Sequence, residues 1–250
     1  MARYTYGDSE LAGDRLRLVA ELFQPTSRAF LVTAGGSPRI AVDLGSGPGE
    51  TVKLVLDASR AETTFGVERS EAFAARATHA GATTIVGDVA AAWLPTRAAD
   101  LIYARLLLAH LADPVLAVAR WAAVSTVGGR VLVDDLETIE TADRVFRRYL
   151  DDVALEVVRA QGGALFVGPV LHAAADPDGL RRVHDDVVVF APPPASTARV
   201  FSMNLEVLTR RGEVAPHAEL ASALHSIAAG DRSAEPVRWH IRQIAWQRTS

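Results

Sequence analysis

The chain contains no cysteine among its 250 residues. This absence excludes disulfide bonds, thiolate metal sites and cysteine nucleophiles, and it fits a reducing compartment. The seven histidines stand apart and no carboxylate cluster has metal-ligand spacing, so we expect no metal. No apolar run approaches the ~20 residues of a membrane span, and residues 1–7 contain no apolar signal core. These features predict a cytoplasmic protein with no membrane contact.

The sequence also lacks a strong excess of one charge. Its net charge is −4, and its basic residues are scattered rather than clustered. A basic patch is the electrostatic requirement for nucleic-acid binding, so we expect no nucleic-acid partner. Apolar residues make up 49% of the chain, which is enough for the large core of one domain with a modest insertion or cap.

The most informative stretch begins with an apolar run, residues 40–44, that is interrupted only by Asp43. Gly45, Gly47 and Gly49 follow, and helix-compatible residues come after them. A strand, a glycine turn and a helix together form the usual binding unit for a nucleotide-like cofactor at the carboxyl end of a parallel sheet. Glycines let the backbone turn tightly and let a ligand approach closely. The alternative is a tight strand-to-helix turn without a ligand.

The details of this stretch favour one kind of cofactor. The dinucleotide fingerprint is G-x-G-x-x-G, whereas Glu50 stands where its last glycine would be. A carboxylate at Asp43 suits a ligand with an ammonium group and repels a pyrophosphate. The stretch resembles the first motif of the class I S-adenosylmethionine-dependent methyltransferases. The resemblance implies S-adenosylmethionine as cofactor, held in part by Asp43, Gly45, Ser46 and Gly47.

Two further strands end in residues that the resemblance assigns to the cofactor. Glu68 ends the predicted strand 64–68 and could accept two hydrogen bonds from the vicinal diol of a ribose. Arg69 could line the adenosine pocket or be solvated. After strand 83–86, Asp88 could meet the adenine amino group or cap the following turn, and Val89 would pack against the purine.

The predicted fourth strand, residues 99–104, leads into a segment whose pattern is similar to that of the family. Ala104 and Arg105 at its carboxyl end are assigned to the cofactor by the resemblance. Asp113 and Pro114 then provide the chemistry of a helix start. His110 lies between Arg105 and Asp113. It is the candidate catalytic base, because the pKa of a histidine is ordinarily near neutrality. The alternative is a structural histidine that holds the loop.

Three residues are candidates for substrate contact. Asp135 follows the predicted fifth strand, residues 130–135, and could bind an amine, act as a base or cap the next element. Tyr4 belongs to an N-terminal pattern similar to that of a bacterial subgroup of the family, in which N-terminal helices cover the pocket; the alternative is a helix that only packs on the edge of the sheet. His172 is the remaining titratable candidate.

The resemblance and the apolar patterning predict an α/β fold. We expect a three-layer, Rossmann-like sheet of seven strands, with a last, antiparallel strand at 239–247. Residues 1–35 should form an N-terminal helical cap or lid, with a helix that Ser9 caps and Pro25 ends. Residues 36–250 should form the methyltransferase core, with a substrate-side insertion around 138–180.

The expected function is S-adenosylmethionine-dependent methylation of a small molecule at oxygen or nitrogen by in-line transfer. Two alternatives come from other classes: an inactive methyltransferase-like scaffold and, more distantly, a nicotinamide-dependent oxidoreductase. The expected partner is a small-molecule methyl acceptor, and a homodimer is allowed.

Overall fold

The computed structural model describes residues 6–91, 99–160 and 162–249. These residues contain one sheet and helices on both sides of it. The strands are β1 (Ile40–Leu44), β2 (Thr63–Glu68), β3 (Thr84–Val86), β4 (Ala99–Arg105), β5 (Ser125–Glu140), β6 (Leu180–Phe190) and β7 (Arg238–Arg248). The α-helices are α1 (Glu10–Ala34), α2 (Glu50–Ser59), α3 (Glu71–His79), α4 (Pro114–Ala122), α5 (Arg144–Tyr149), α6 (Leu155–Ala160), α7 (Gly168–Ala173), α8 (Pro194–Arg210) and α9 (Ala218–Ala229).

The strand order in the sheet is β3-β2-β1-β4-β5-β7-β6. The first five of these strands pair in parallel, whereas β7 pairs antiparallel with both β5 and β6. The predicted seven-stranded α/β sheet with an antiparallel last strand is therefore confirmed. The chain order reverses between β1 and β4, and ligands of open parallel sheets bind where such a reversal opens a crevice at the strands' carboxyl ends.

Each face of the sheet carries its own apolar layer. On one face, Phe30 and Leu31 of α1 pack with Val55 of α2 against the central strands. On the other face, Trp121 of α4 and Leu171 of α7 pack against the same strands. Central parallel strands must be apolar on both faces in such an arrangement, which explains why β1 and β4 are almost uninterrupted apolar runs.

The first helix is longer than predicted. Ser9 caps it as expected, with its Oγ accepting a hydrogen bond from the Ala12 N–H at 3.2 Å. Pro25 does not end the helix, which continues to Ala34. The reason is tertiary packing: Phe23 and Phe30, on either side of the proline, are both buried, and this burial outweighs the loss of one backbone hydrogen bond.

A separate cluster of helices lies beside the carboxyl end of the sheet. The first half of α1 packs there with α5, α8 and α9, and Phe23, Phe146 and Phe201 are among its buried side chains. The second half of α1 belongs to the sheet layer instead. The predicted cap of residues 1–35 is thus divided between two layers, and helices from the other end of the chain complete the cover.

Other element boundaries also differ from the predictions. Gly128 and Gly129 lie within β5, which begins at Ser125 and extends past the predicted end to Glu140. Within the predicted insertion, α5 continues through a π-helical segment at Leu150–Ala154 into α6. The same insertion also contains the short helix α7.

Candidate active site

The glycine loop joins β1 to α2 at the point where the sheet order reverses. Gly47 has a φ of +54°, and Gly49 has a φ of +103°, a backbone region that favours glycine. A Cβ on Gly49 would also lie only 2.9 Å from the Ala77 Cβ, so α2 can begin there only with a glycine. At Gly47 a Cβ would meet just the Leu16 side chain, at 3.4 Å. The backbone at Gly47 is therefore approachable, as the cofactor prediction requires.

Asp43 lies at the base of this loop with only 1% of its surface exposed. Its Oδ2 has no hydrogen-bond partner among the described residues. Burial raises the pKa of Asp43 to about 7, although a hydrogen bond from Thr51 and the charge of Arg105 act in the opposite direction. The buried Ser46 Oγ likewise has no partner among the described residues. Two buried polar atoms without partners are costly unless a ligand supplies hydrogen bonds, so this region fits a bound polar group with donors.

Glu68 ends β2 and faces the glycine loop. Its Oε2 accepts a hydrogen bond from the Gly47 N–H at 2.9 Å, and its Oε1 accepts one from the Ser70 N–H at 2.8 Å. The carboxylate thus holds the loop in place, and each oxygen retains a further lone pair for a ligand hydroxyl. Arg69, which follows, is exposed.

The turn after β3 carries the predicted adenine contacts. Asp88 Oδ1 accepts a hydrogen bond from the Ala90 N–H at 2.9 Å, so this carboxylate caps its own turn. The Val89 side chain is buried, and its carbonyl accepts a hydrogen bond from the Trp121 indole at 2.9 Å. Capping is the alternative role that the sequence allows for Asp88, and it leaves the contact with adenine as a prediction.

The carboxyl end of β4 is strained. Leu106 has a φ of +50°, which is uncommon for a residue with a Cβ, and its N–H donates to the Asp134 carbonyl at 3.0 Å. Ala104 is buried just before it. Arg105 is half-buried, and its charge lowers the pKa of Asp43. The two residues assigned to the cofactor at this strand therefore lie next to the glycine loop.

His110 lies in a 3₁₀ turn, Leu108–His110, beyond this strained residue. The Tyr6 ring meets its imidazole edge to face, with 6.5 Å between centroids. Burial, reinforced by the charges of Arg15 and Arg69, lowers the pKa of His110 to about 4. The imidazole is neutral at neutral pH, and a base this weak has little tendency to take a proton from a phenol or an ammonium group.

Asp135 holds the turn that carries His110. Its Oδ2 accepts a hydrogen bond from the Leu108 N–H at 3.0 Å, and its Oδ1 accepts one from the Leu136 N–H at 2.9 Å. The residue is only 1% exposed, and burial raises its pKa to about 7. These contacts show that Asp135 positions the turn, and its contact with a substrate stays a prediction.

His172 lies on α7, and its hydrogen-bond partners belong to other elements than the glycine loop. Its Nδ1 is 2.8 Å from Asp185 Oδ2 and 3.3 Å from the Arg242 Nη1, both on the antiparallel part of the sheet. Arg242 also forms a bidentate pair with Glu137 at 2.9 Å. This charged network joins α7 to β5, β6 and β7, so the contacts of His172 are structural. Tyr4, the third substrate candidate, lies outside the described residues.

A polar cluster near His110 was not predicted. The Arg15 guanidinium stacks over the Tyr6 ring, with 3.8 Å from its Cζ to the centroid, and its Nε donates to Asn204 Oδ1. The Asn204 amide donates to the Tyr149 hydroxyl at 2.7 Å. Arg15 and Asn204 are 189 positions apart, so no local pattern in the sequence signals their contact.

Two of the expected absences concern metal sites and membrane-spanning helices. Within the described ranges, no group of three or more His, Asp or Glu side chains is arranged to hold a metal ion. None of the helices in these ranges is both long and apolar enough to cross a membrane.

Comparison with known sequences bears on the central part of the chain. Residues 42–133 match the family model described as a methyltransferase domain. The chain is similar to trans-aconitate 2-methyltransferase from Methylobacterium radiotolerans, with 35% identity over 99 residues, which are 39% of this chain and 38% of the relative. The chain thus matches well under half the length of this curated relative.

Solved structures are similar over much more of the chain. A protein from Anaeromyxobacter dehalogenans assigned to the type II methyltransferases superposes with a TM-score of 0.56 and 19% identity, covering 92% of this chain and 96% of that one. Phosphoethanolamine N-methyltransferase 2 from Haemonchus contortus, determined with S-adenosylhomocysteine, gives a TM-score of 0.52 and 16% identity, covering 94% and 58%. At these identities the likeness establishes the fold. The family match by itself identifies residues 42–133 as a methyltransferase domain, as the sequence predicted.

Proposed function

We propose that the chain transfers a methyl group from S-adenosylmethionine to a small molecule, at oxygen or nitrogen. The observation that carries this proposal is the buried Asp43 Oδ2, which has no partner among the described residues and lies at the base of the glycine loop of a methyltransferase domain. An ammonium group of the cofactor would supply the missing hydrogen-bond donor. A pyrophosphate would meet a buried carboxylate there, which argues against a nicotinamide cofactor.

Different residues around the loop would bind the ribose and the adenine of the cofactor. Glu68 would accept hydrogen bonds from the ribose hydroxyls while it keeps its bonds to the Gly47 and Ser70 N–H groups. Val89 would pack against the adenine. When bound, S-adenosylmethionine supplies a methyl group that its sulfonium already activates. The protein then has mainly to orient an acceptor and exclude water.

A small acceptor is supported by the names of the similar proteins and by the cover over the site. The relatives are named for methylation of trans-aconitate and of a phosphoethanolamine. Tyr6 contacts His110, and Leu16 of α1 lies beside Gly47, so the N-terminal segment would cover an acceptor held there, which favours a small molecule over a polymer. A cytoplasmic location and a homodimer are part of the same proposal.

The first test is cofactor binding, measured by titration calorimetry of the full chain with S-adenosylmethionine. Gly47→Val should abolish detectable binding, because the side chain would fill the space where the backbone must meet the ligand. Gly81→Val is the matched control: Gly81 also has a positive φ, of +84°, but a Cβ at this position would have nothing within 4 Å of it. If both variants bind like the parent, the site lies elsewhere.

The second test is transfer itself, followed as release of S-adenosylhomocysteine with a panel of small acceptors. An inactive scaffold would bind the cofactor or its product without turnover. A methyltransferase releases the product in proportion to the acceptor that is methylated, and this difference separates the two classes.

A further inference from the structure

The turn that follows β3, residues 87–91, has neither helical nor strand structure. At its start, the Gly87 N–H donates to the Glu68 carbonyl at 2.9 Å, so the turn lies directly beside the residue proposed to bind the ribose. Within the turn, the Ala90 N–H donates to Asp88 Oδ1 at 2.9 Å. These two bonds fix the first residue of the turn and its local shape, but they do not hold its far end.

The carboxyl-terminal end of α4 holds the far end of this turn. The Trp121 indole N–H donates to the Val89 carbonyl at 2.9 Å, and Arg120 Nη1 donates to the Ala90 carbonyl at 2.9 Å. Two consecutive side chains of one helix thus bind two consecutive carbonyls of the turn. Movement of the turn away from α4 would leave a buried indole N–H without an acceptor, which is costly.

Packing alone does not account for these two bonds. Trp121 is fully buried and belongs to the same apolar layer as the Val89 side chain. An aromatic ring without a polar atom would also fill this space, and Arg120 is exposed, so neither hydrogen bond is required by the core. What the two bonds add is a fixed position for the turn.

We propose that Trp121 and Arg120 are positioning residues for the recognition of adenine. They would hold the turn so that the Asp88 carboxylate meets the adenine amino group and the Val89 side chain meets the purine face. This inference rests on the proposed methyltransferase function. The capping bond to the Ala90 N–H does not prevent the contact, because a carboxylate has about four lone-pair sites for hydrogen bonds.

The position of the Asp88 carboxylate determines which purine it favours. Adenine has an amino donor at the ring position where hypoxanthine has a carbonyl acceptor. A carboxylate held at bonding distance from this position binds the amino group and repels the carbonyl. A turn that can shift would lose part of this discrimination even when the ligand still binds.

The experiment compares two ligands that differ at this ring position, S-adenosylhomocysteine and S-inosylhomocysteine. Titration calorimetry of the full chain gives both dissociation constants, and their ratio is the adenine selectivity. The parent should bind the adenosyl ligand at least about tenfold more tightly, since it alone gains a hydrogen bond to a charged acceptor. Equal affinities would overturn this inference and leave cofactor binding intact. Binding of neither ligand would overturn the proposed function as well.

Trp121→Phe keeps an aromatic ring in the layer and removes the indole N–H. It should lower the adenine selectivity about three- to tenfold, because the turn loses a buried hydrogen bond. Trp246→Phe is the matched control. Trp246 is buried in the same layer, but its indole donates to Asp176 Oδ1 at 2.8 Å, so its replacement should leave the selectivity within about twofold.

A purely structural role of Trp121 predicts a different result. Both tryptophan variants would then have lower melting temperatures and unchanged selectivity, and this outcome would overturn the proposal. Arg120→Met provides a second test, because an exposed side chain can be replaced without loss of the fold. It should lower the selectivity about two- to fivefold. If Trp121→Phe does not fold, an unchanged selectivity in Arg120→Met overturns the proposal by itself.

A double variant tests whether Trp121 acts through Asp88. In Asp88→Asn the side chain can present an amide N–H to the purine, so the adenine selectivity should fall to about one or below. Trp121→Phe added to Asp88→Asn should then cause no further change in selectivity, because the group that Trp121 positions no longer discriminates. A further change in the double variant would show that Trp121 acts by another route and would contradict the proposal.

Discussion

The properties of single residues at this site depend on their burial. Asp43 and Ser46 each present a buried polar atom without a partner among the described residues, and Glu68 uses both of its oxygens to hold the glycine loop. The stabilisation lost at unpartnered atoms is recovered only if a ligand supplies hydrogen bonds. The free protein is therefore prepared for a ligand at a local cost in stability.

The raised pKa of Asp43 predicts how cofactor affinity depends on pH. This carboxyl is protonated below about pH 7 and ionised above it, so its attraction for an ammonium group appears as the pH rises through about 7. In Asp43→Asn the side chain is neutral at every pH. The ratio of the variant's dissociation constant to the parent's should thus be near one at pH 5.5 and rise to about tenfold at pH 8.5.

Calorimetry at several pH values measures this ratio, and taking the ratio cancels the ionisation of the cofactor's own amino group. Ser46→Ala, which removes a neutral buried hydroxyl from the same loop, is the control, and its ratio should not change with pH. A constant ratio for Asp43→Asn would mean that Asp43 does not change its charge in this range or does not meet the ammonium group.

Among the elements, α1 has two roles: one half covers the glycine loop, and the other half belongs to the apolar core on the sheet. Its first half carries Leu16 next to Gly47 and Arg15 next to Tyr6, whereas its second half packs on the sheet. Residues 6–9, which precede the helix, contact residues around the proposed cofactor site: Tyr6 meets His110, and Asp8 accepts a hydrogen bond from Ser70. The lid predicted from the sequence is best tested on this short segment.

Removal of residues 1–8 should weaken cofactor binding about tenfold, because Tyr6 no longer covers the site and Asp8 no longer fixes Ser70 beside Glu68. The melting temperature should change by only a few degrees, since Ser9 remains to cap α1. Calorimetry and circular dichroism measure the two effects. A deletion of residues 1–20 is a poorer test, because it also removes Ala12 and Val19 from the core.

Hydrogen exchange gives an independent view of the same segment. Amides of residues 6–9 should exchange more slowly when S-adenosylmethionine is added, whereas those of Gly128 and Gly129, near the amino end of β5, should not change. Unchanged exchange in residues 6–9 would contradict a lid.

At the scale of the whole molecule, hydrogen bonds to Asp134 connect several elements of the fold. Its Oδ2 accepts hydrogen bonds from the Ser27 hydroxyl at 2.5 Å and the Tyr103 hydroxyl at 2.9 Å, and its Oδ1 accepts one from the Gln243 amide at 3.1 Å. This fully buried carboxylate thus joins α1, β4, β5 and β7, which are distant in the chain.

Asp134→Ala should lower the free energy of unfolding by about 3–5 kcal/mol, because it leaves three buried donors without their acceptor. Urea denaturation measures this loss. Asp152→Ala is the control: Asp152 pairs with Arg148 at 3.3 Å on the surface, and its removal should change stability by less than about 0.5 kcal/mol. An equal effect of the two substitutions would show that the buried network contributes little.

Local patterns in the sequence were sufficient for the framework of the domain. The useful patterns were the apolar runs, the glycines after β1 and the helix N-caps Ser9 and Asp113. They reflect backbone preferences and capping hydrogen bonds that involve only a few neighbouring residues. Asp113 is an example, because its Oδ1 accepts a hydrogen bond from the Leu116 N–H at 2.9 Å. For this reason the sheet, its antiparallel last strand and the methyltransferase domain could be predicted without a structure.

Long-range packing decided the rest. The helix passes Pro25 because buried neighbours on both sides hold it, and Asp135 binds the backbone of a turn 27 positions earlier. Burial lowers the pKa of His110 most, and the charge of Arg15, which only the folded chain brings near, lowers it further. Burial and charge are properties of the surroundings that tertiary structure creates, so a list of residues in order contains the candidates for a site but not the electrostatics that assign their roles.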